Sequence, residues 1–229
     1  MKNSRPTSAR PRKKPPRAPV TRERALDVAM ALADAGGLVD LTMRRLAQEL
    51  GVEAMSLYHH VANKDDLLDG MVDAVMAEFE IPTEAGDWRD ALRHRSRSAR
   101  ASLRRHPWAI GLLGSRTSPG PATLHHHDAV IGVLRSGGFS VAGAAHAFAL
   151  LDAFLFGFAL QERNLPFDSG DDVGEFAHEI VGHLSPDQFP HLVEMTVEHV
   201  MVPGYDFGAE FDHGLELVLD ALDRSRPDG

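Results

Sequence analysis

LTMRRLAQELGVEAMSLYHHVANKDDLL, residues 41–68, is the stretch whose reading decides the fold. Thr42 is a residue type that caps helix N-termini, and residues 43–50 then read as one short helix with Leu46, Ala47 and Leu50 on its buried side. Gly51 follows, the residue that reverses a helix end without steric cost. After Val52, residues 54–60 read as a second short helix that, with Val61, keeps Leu57 for the core. Asn63 caps a third helix, and Asp65 and Asp66 lie in its first turn, where the helix dipole favours negative charge. Helix, short Gly-containing turn, helix is the helix-turn-helix pattern, in which the second helix enters the major groove of DNA.

Composition agrees once it is divided. The 229-residue chain has a net charge of −9, which looks wrong for a nucleic-acid binder. Residues 1–64, however, carry twelve Lys or Arg against six Asp or Glu, while residues 65–229 carry twelve against twenty-seven. A basic head is drawn to phosphate and an acidic body is repelled from it. Length allows one large domain, or a small and a medium one, and 43% hydrophobic residues supply a core. With no cysteine there is neither a disulfide framework nor a thiolate metal site, and a cytoplasmic setting is natural. No N-terminal stretch pairs a charged region with an apolar one, so no signal peptide is expected.

Residues 1–20 hold Lys2, Arg5, Arg10, Arg12, Lys13, Lys14 and Arg17 with five prolines and no acid. Such a segment buries no apolar surface and is expected to be a disordered arm. Two readings stand: an arm that places Arg in the minor groove, which its attachment to the head favours, or a solubilising tail. Residues 21–35 read as a first, supporting helix ended by Gly36 and Gly37. The helix opened by Asn63 runs to about Phe79 and is long enough to join head to body. A break at residues 82–87 divides a DNA-binding unit, 21–80, from a second unit, 81–225.

The run LTMRRLAQELGVE followed by SLYHHVANKDDLLDGM resembles the tetracycline-repressor (TetR) family of bacterial transcription regulators. Its Thr cap, turn Gly, Leu-Tyr and Asn-Lys make a far more specific signal than a bare helix-turn-helix. The resemblance implies an all-α homodimer with two DNA-binding heads on a double-stranded, palindromic operator, and a larger helical body for ligand binding and dimerisation. It implies DNA contacts from Thr42, Met43 and Arg44 at the start of the second helix. Ala54, Met55 and Ser56 open the recognition helix, whose N-terminal residues face base edges. Tyr58 and His60 look like phosphate contacts, His59 could touch base or phosphate, and Lys64 would hold phosphate at a helix N-terminus. Met55 stands where several family members carry Pro, and His59 where many carry an aromatic residue, which leaves the operator sequence open.

The body reads as helices throughout. Residues 88–105 form one with Trp88, Leu92, Ala99 and Leu103 on a face. Its run Arg93, Arg95, Arg97, Arg100, Arg104 and Arg105 reads as a solvated face or as partners for body carboxylates, in preference to a second nucleic-acid patch. A short helix opens at His106-Pro107-Trp108 and ends near Gly114. The Leu-Gly-Ser-Arg stretch after it resembles the loop in tetracycline-binding members where a histidine helps hold magnesium. Here that position is Leu112, which argues against a magnesium–tetracycline ligand. Residues 121–136 carry His125, His126 and His127, which point about 100° apart on a helix and cannot converge on one ion.

Residues 141–160 are apolar enough to span a bilayer but rich in Ala and Gly, and are read as a buried helix of a bundle or dimer. A helix near 172–183 and another capped by Ser185 with Pro186 at its first position follow. FGAEFDHGLELVLDAL resembles the last helix of the tetracycline-repressor C-terminal domain, and in that family this helix and the one from Val141 form a four-helix dimer interface. Candidate ligand contacts are Trp108, Leu112, Arg116, His127, Phe148 and Phe154; candidate dimer contacts are Phe154, Phe158, Phe211, Leu215, Val218 and Leu219. No Gly-rich phosphate loop, nucleophile motif or His-x-x-x-His pair is present, so no catalytic residue, metal or cofactor is expected. The leading expectation is a DNA-binding repressor released by a small apolar or aromatic inducer. A metal-responsive regulator using the histidines and an enzyme with an appended head are the alternatives.

Overall fold

A computed structural model describes residues 19–82, 86–116, 118–166 and 170–226, and among them there is no strand. Residues 1–18 of the basic arm lie outside the described residues.

The head is built by α1 (Arg22–Asp40), α2 (Met43–Leu50), α3 (Ala54–Leu57) and the start of α4 (Lys64–Ala77). Thr21 caps α1 through the Arg24 amide, Thr42 caps α2 through the Arg45 amide, and Asn63 caps α4 through the Asp66 amide. Gly51 ends α2 in the left-handed region at φ 71°, ψ 35°, and its amide and that of Val52 close on the last turn. α1 presents Ala25, Ala29 and Ala33, small enough to let it lie close on α2 and α4. Leu46, Leu50, Leu57, Val61, Leu67 and Met71 complete a closed core. Each such Leu, fully withdrawn from water, contributes about 1.5–3 kcal/mol.

Two boundaries differ from expectation. The first helix breaks at Gly37, φ 71° and ψ 179°, but resumes for a turn to Asp40 before Leu41 enters the core. The recognition helix is shorter than residues 54–60: it stops at Leu57, and Tyr58 to His60 form a turn closed by the His60 and Val61 amides on the Leu57 carbonyl. The reason is tertiary. Arg22 Nη1 donates to the His60 carbonyl at 3.3 Å and pairs with Asp66, fastening the end of the recognition segment to α1 and α4.

The body holds α5 (Trp88–Arg105), a 3₁₀ turn (Pro107–Ala109), α6 (Ile110–Leu113), α7 (Pro121–Ser136), α8 (Val141–Arg163), α9 (Gly170–His183), α10 (Pro190–Met195) and α11 (Phe207–Arg224). α8 packs on α5, α7 and α11. It is the one helix among the described residues long and apolar enough to cross a membrane, yet Ala144, Ala147, Leu151, Leu155 and Phe158 bury one side of it in the bundle. At Gly214 an added Cβ would stand 2.8 Å from Phe154 Cε2, so the missing side chain is what lets the Phe154 ring lie on α11. The helix expected from Ser185 starts instead at Pro190. Residues 186–188 make a single turn on the Ser185 carbonyl, and Pro190, which disfavours helical backbone before it, resets the chain at Phe189, φ −131° and ψ 54°.

Candidate nucleic-acid interface and the body behind it

The sequence-expected DNA contacts come together on the outer surface of the head. Thr42, Arg44, Met55, Ser56, Tyr58, His59 and Lys64 are exposed, and Met43, Ala54 and His60 are half-buried at the edge of the core. Met55 is 73% and Tyr58 45% exposed, so an apolar tip and part of an aromatic ring face solvent. Leu57, between them, is fully buried and fixes the direction in which they project. Arg44 makes no ion pair among the described residues, so its guanidinium is available. The arrangement offers a cation, a hydroxyl and apolar atoms to base edges, with further cations and hydroxyls toward phosphate.

Behind this surface, α4 is held to the body by four carboxylates. Arg116 reaches across to Asp69 and to Asp65, whose backbone oxygen lies 3.0 Å from Nη2. Asp73 accepts from the Ala122 and Thr123 amides at the N-terminus of α7. Glu78 accepts from Arg105 at 2.6 Å and lies 3.1 Å from His106 Nε2. Burial works against ionisation of Glu78, but Arg105 and His106 hold its carboxyl below the usual range. A second tie runs from α1: Asp34 Oδ1 lies 2.8 Å from His106 Nδ1 and 2.6 Å from the Trp108 indole nitrogen. Trp108 and Arg116, expected as ligand contacts, therefore stand at the joint between head and body.

The Arg run of α5 faces carboxylates. Arg89 pairs with Asp220, Arg93 with Glu216 and Arg97 with Asp212, a ladder that descends α11 as it climbs α5. Arg100 pairs with Glu162 and stacks over Phe158 and Phe211. Arg95 goes inward: it is 1% exposed, donates from Nε to His126 Nε2 at 3.1 Å and from Nη2 to Asp152 at 2.6 Å. Burial, then the Arg95 charge, then His127 push His126 down to about 4, so its ring is neutral and accepts.

Of the other expected ligand contacts, the His127 ring meets Phe148 edge-on at 5.1 Å and Leu112 is half-buried nearby in sequence to the joint. Phe154 stacks on Phe211 at 5.4 Å. Two surface hollows, of about 600 Å³ beside Arg100, Arg104 and Phe207 and about 950 Å³ beside Trp88, Gly137 and Arg226, include none of the six. Among the expected dimer contacts, Phe158, Phe211, Leu215 and Leu219 are buried within the protomer and Phe154 and Val218 are half-buried. The exposed large apolar side chains of the same two helices are Val141, Leu150, Leu160 and Leu217. The His126 and His127 rings meet edge-on at 6.4 Å, and among the described residues no three His, Asp or Glu side chains gather as metal ligands. The sequence reading named Arg95, His126 and Asp65 separately, but not the Arg95–His126–Asp152 group nor the ties that Asp65, Asp69, Asp73 and Glu78 make to the body.

A Gly-turned helix pair on a basic head, with Met55 and Ser56 exposed on the second helix and an all-helical body behind, defines a DNA-binding transcription regulator. Residues 25–71 match the family described as bacterial regulatory proteins, tetR family, and residues 82–225 match the tetracyclin repressor-like C-terminal domain. The chain belongs to the TetR family. It is 33% identical to the HTH-type transcriptional repressor DrrR1 of Streptomyces coeruleorubidus over 91% of this chain and 79% of that one. It is 31% identical to the tetracycline repressor protein class A from transposon 1721 of Escherichia coli, over 86% of this chain and 88% of that one. Its fold is similar to Streptomyces coelicolor ActR in complex with actinorhodin, at TM-score 0.76 and 33% identity, covering 92% of this chain and all of that one.

Proposed function

We propose that this regulator is a repressor that binds a palindromic operator as a homodimer and is released by a small, aromatic or largely apolar molecule taken up by the body. The observation that carries the reading is the set Arg44, Met55, Ser56, Tyr58 and His59, exposed on a head whose connecting helix α4 is tied to the body through Asp65, Asp69, Asp73 and Glu78. A ligand that binds one arrangement of the body better than the other shifts the heads through those ties. Relatives named as repressors, and the ActR complex with actinorhodin, support the sign of regulation and the kind of ligand.

In this reading residues 21–80 are the DNA-binding unit, 81–225 the ligand-binding and dimerisation unit, and residues 1–20 a basic arm. Thr42, Met43, Arg44, Ala54, Met55 and Ser56 meet bases or the groove edge; Tyr58, His60 and Lys64 meet phosphate, and His59 meets base or phosphate. The second copy covers Leu150, Leu160, Leu217 and Val218 on α8 and α11. The protein works in the cytoplasm, and its role is binding rather than catalysis.

The test is a gel shift on the intergenic DNA beside its own gene, with and without excess unrelated duplex. Specific binding is expected to strengthen as salt falls. Equal binding to all sequences overturns the reading.

A further inference from the structure

The recognition helix is too short to hold its own direction. α3 has four residues, too few to be stable as an isolated helix, and Glu53 at its N-terminus makes no side-chain cap. Leu57 and Val61, both fully buried, anchor it in the core from beneath. Two anchor points leave a segment free to rock about the line between them. A third is needed to aim what it carries.

Arg22 supplies that third point. From the first residue of α1 its Nη1 donates to the His60 carbonyl at 3.3 Å and to Asp66 Oδ2 at 2.9 Å, and its Nη2 donates to Asp66 Oδ1 at 2.7 Å. Asp66 Oδ2 also accepts from the Ala62 amide at 2.8 Å, so the pair grips the chain after α3 by a carbonyl and by an amide. Gly70 makes room for the approach: an added Cβ there would stand 3.2 Å from Arg22 Nη2 and 2.8 Å from Leu26 Cδ2. A planar fork on a carboxylate fixes an angle as well as a distance, which the point charge of a Lys does not.

The same geometry says what Arg22 does not do. Both of its Nη atoms are engaged by Asp66, and Arg22 holds that carboxyl below its usual range, so the two charges cancel within the head. A phosphate approaching the guanidinium would meet the Asp66 charge with it.

We infer that Arg22 is a positioning residue for sequence reading: without touching DNA, it sets the angle at which α3 presents Met55 and Ser56 to base edges. The inference rests on the set of DNA contacts proposed above and adds what aims them.

Fluorescence anisotropy on two duplexes, the bound intergenic fragment and an unrelated one of equal length, gives each variant a discrimination ratio and a salt slope. The folded fraction enters both affinities and cancels in the ratio, so lost stability by itself does not move it. Arg22→Met combined with Asp66→Asn removes the pair, strands no charge and leaves an acceptor for the Ala62 amide. Lys64 keeps its place, because Asn63 still caps α4 through the backbone amide at position 66. The ratio is expected to fall about tenfold, the order of one good base contact, with the salt slope unchanged. Arg22→Lys, which keeps the charge but not the fork, is expected to lie between wild type and the double variant. An unchanged ratio in the double variant overturns the inference. So does a slope lower by about one, which would make Arg22 a phosphate contact. Should the double variant bind neither duplex, Arg22→Lys decides: a lowered ratio supports the inference and an unchanged one overturns it. A wild type without preference for the intergenic fragment sinks instead the function on which the inference rests.

Discussion

The Asp73 carboxylate, on the helix that carries the head, caps the first turn of α7 in the body: Oδ1 lies 2.8 Å from both the amide and the hydroxyl of Thr123. The α7 N-terminus starts at Gly120 and Pro121 with no side-chain cap of its own, so its cap comes from another helix. At Gly120 an added Cβ would stand 2.2 Å from Asp73 Cγ, so the approach requires glycine there. Asp73→Ala is expected to cost about 1 kcal/mol, the usual worth of an N-cap, read from the urea midpoint. Hydrogen exchange at the Ala122 and Thr123 amides should quicken in the variant; unchanged protection there would sink this account of the joint.

Arg44 stands exposed at the start of α2 without an ion-pair partner among the described residues. Arg44→Ala should cost about 1–3 kcal/mol against the preferred operator and flatten discrimination between operator variants. Lys64→Ala, by contrast, should weaken all sequences alike and lower the salt slope by about one. Fluorescence anisotropy across a salt series distinguishes the two patterns.

Gly51 holds φ 71° at the turn between α2 and α3, a region in which a Cβ is strained. Gly51→Ala is expected to destabilise the head by roughly 1–2 kcal/mol, seen as a lower Tm in calorimetry. Operator affinity should fall with it, because the turn aims Met55 and Tyr58.

His126 is buried beside Arg95 and its pKa is pushed down to about 4. Above the ordinary histidine range both folded and unfolded chains hold it neutral. As pH falls below that range, the unfolded chain takes up a proton that the folded one refuses, so stability is lost between about pH 6.5 and 4 and no further below it. The loss attributable to this ring is on the order of 3 kcal/mol. His126→Gln should therefore show a flatter stability profile than wild type across that window, whatever its stability at neutral pH.

Leu217, on α11, is 58% exposed, and Leu150 and Leu160 on α8 are also exposed. A single apolar side chain in water means little, but three on the two helices proposed to meet a second copy are expected to be covered by it. Leu217→Glu should shift sedimentation toward monomer and weaken operator binding at least tenfold through loss of the second head. A variant that stays dimeric would place the interface elsewhere.

Local signals carried a large part of the architecture. Thr42, Gly51 and Asn63 stop and start helices through their own backbone preferences and nearest amides, so the bounds of α2 and the start of α4 were legible from residues alone. The same holds for α7, opened by Gly120-Pro121 and closed at Gly137. Where a distant residue intervenes, legibility ends. The recognition segment is shorter than its sequence suggests because Arg22 reaches the His60 carbonyl from another helix. The turn after Ser185 stays separate from α10 because Pro190 disfavours helix in the residue before it.

By itself the sequence determined the kind of protein: a Thr-capped, Gly-turned helix pair on a basic head, followed by apolar stripes at helical spacing, can be read because capping and periodicity are local. Tertiary structure alone decided which charged residues face water and which do not. Arg93, Arg95 and Arg97 are neighbours in one run, yet the first and last pair with Glu216 and Asp212 at the protein's edge while Arg95 is enclosed against Asp152 and His126. Successive residues on a helix point about 100° apart, so which of them turns inward depends on where α7, α8 and α11 come to lie.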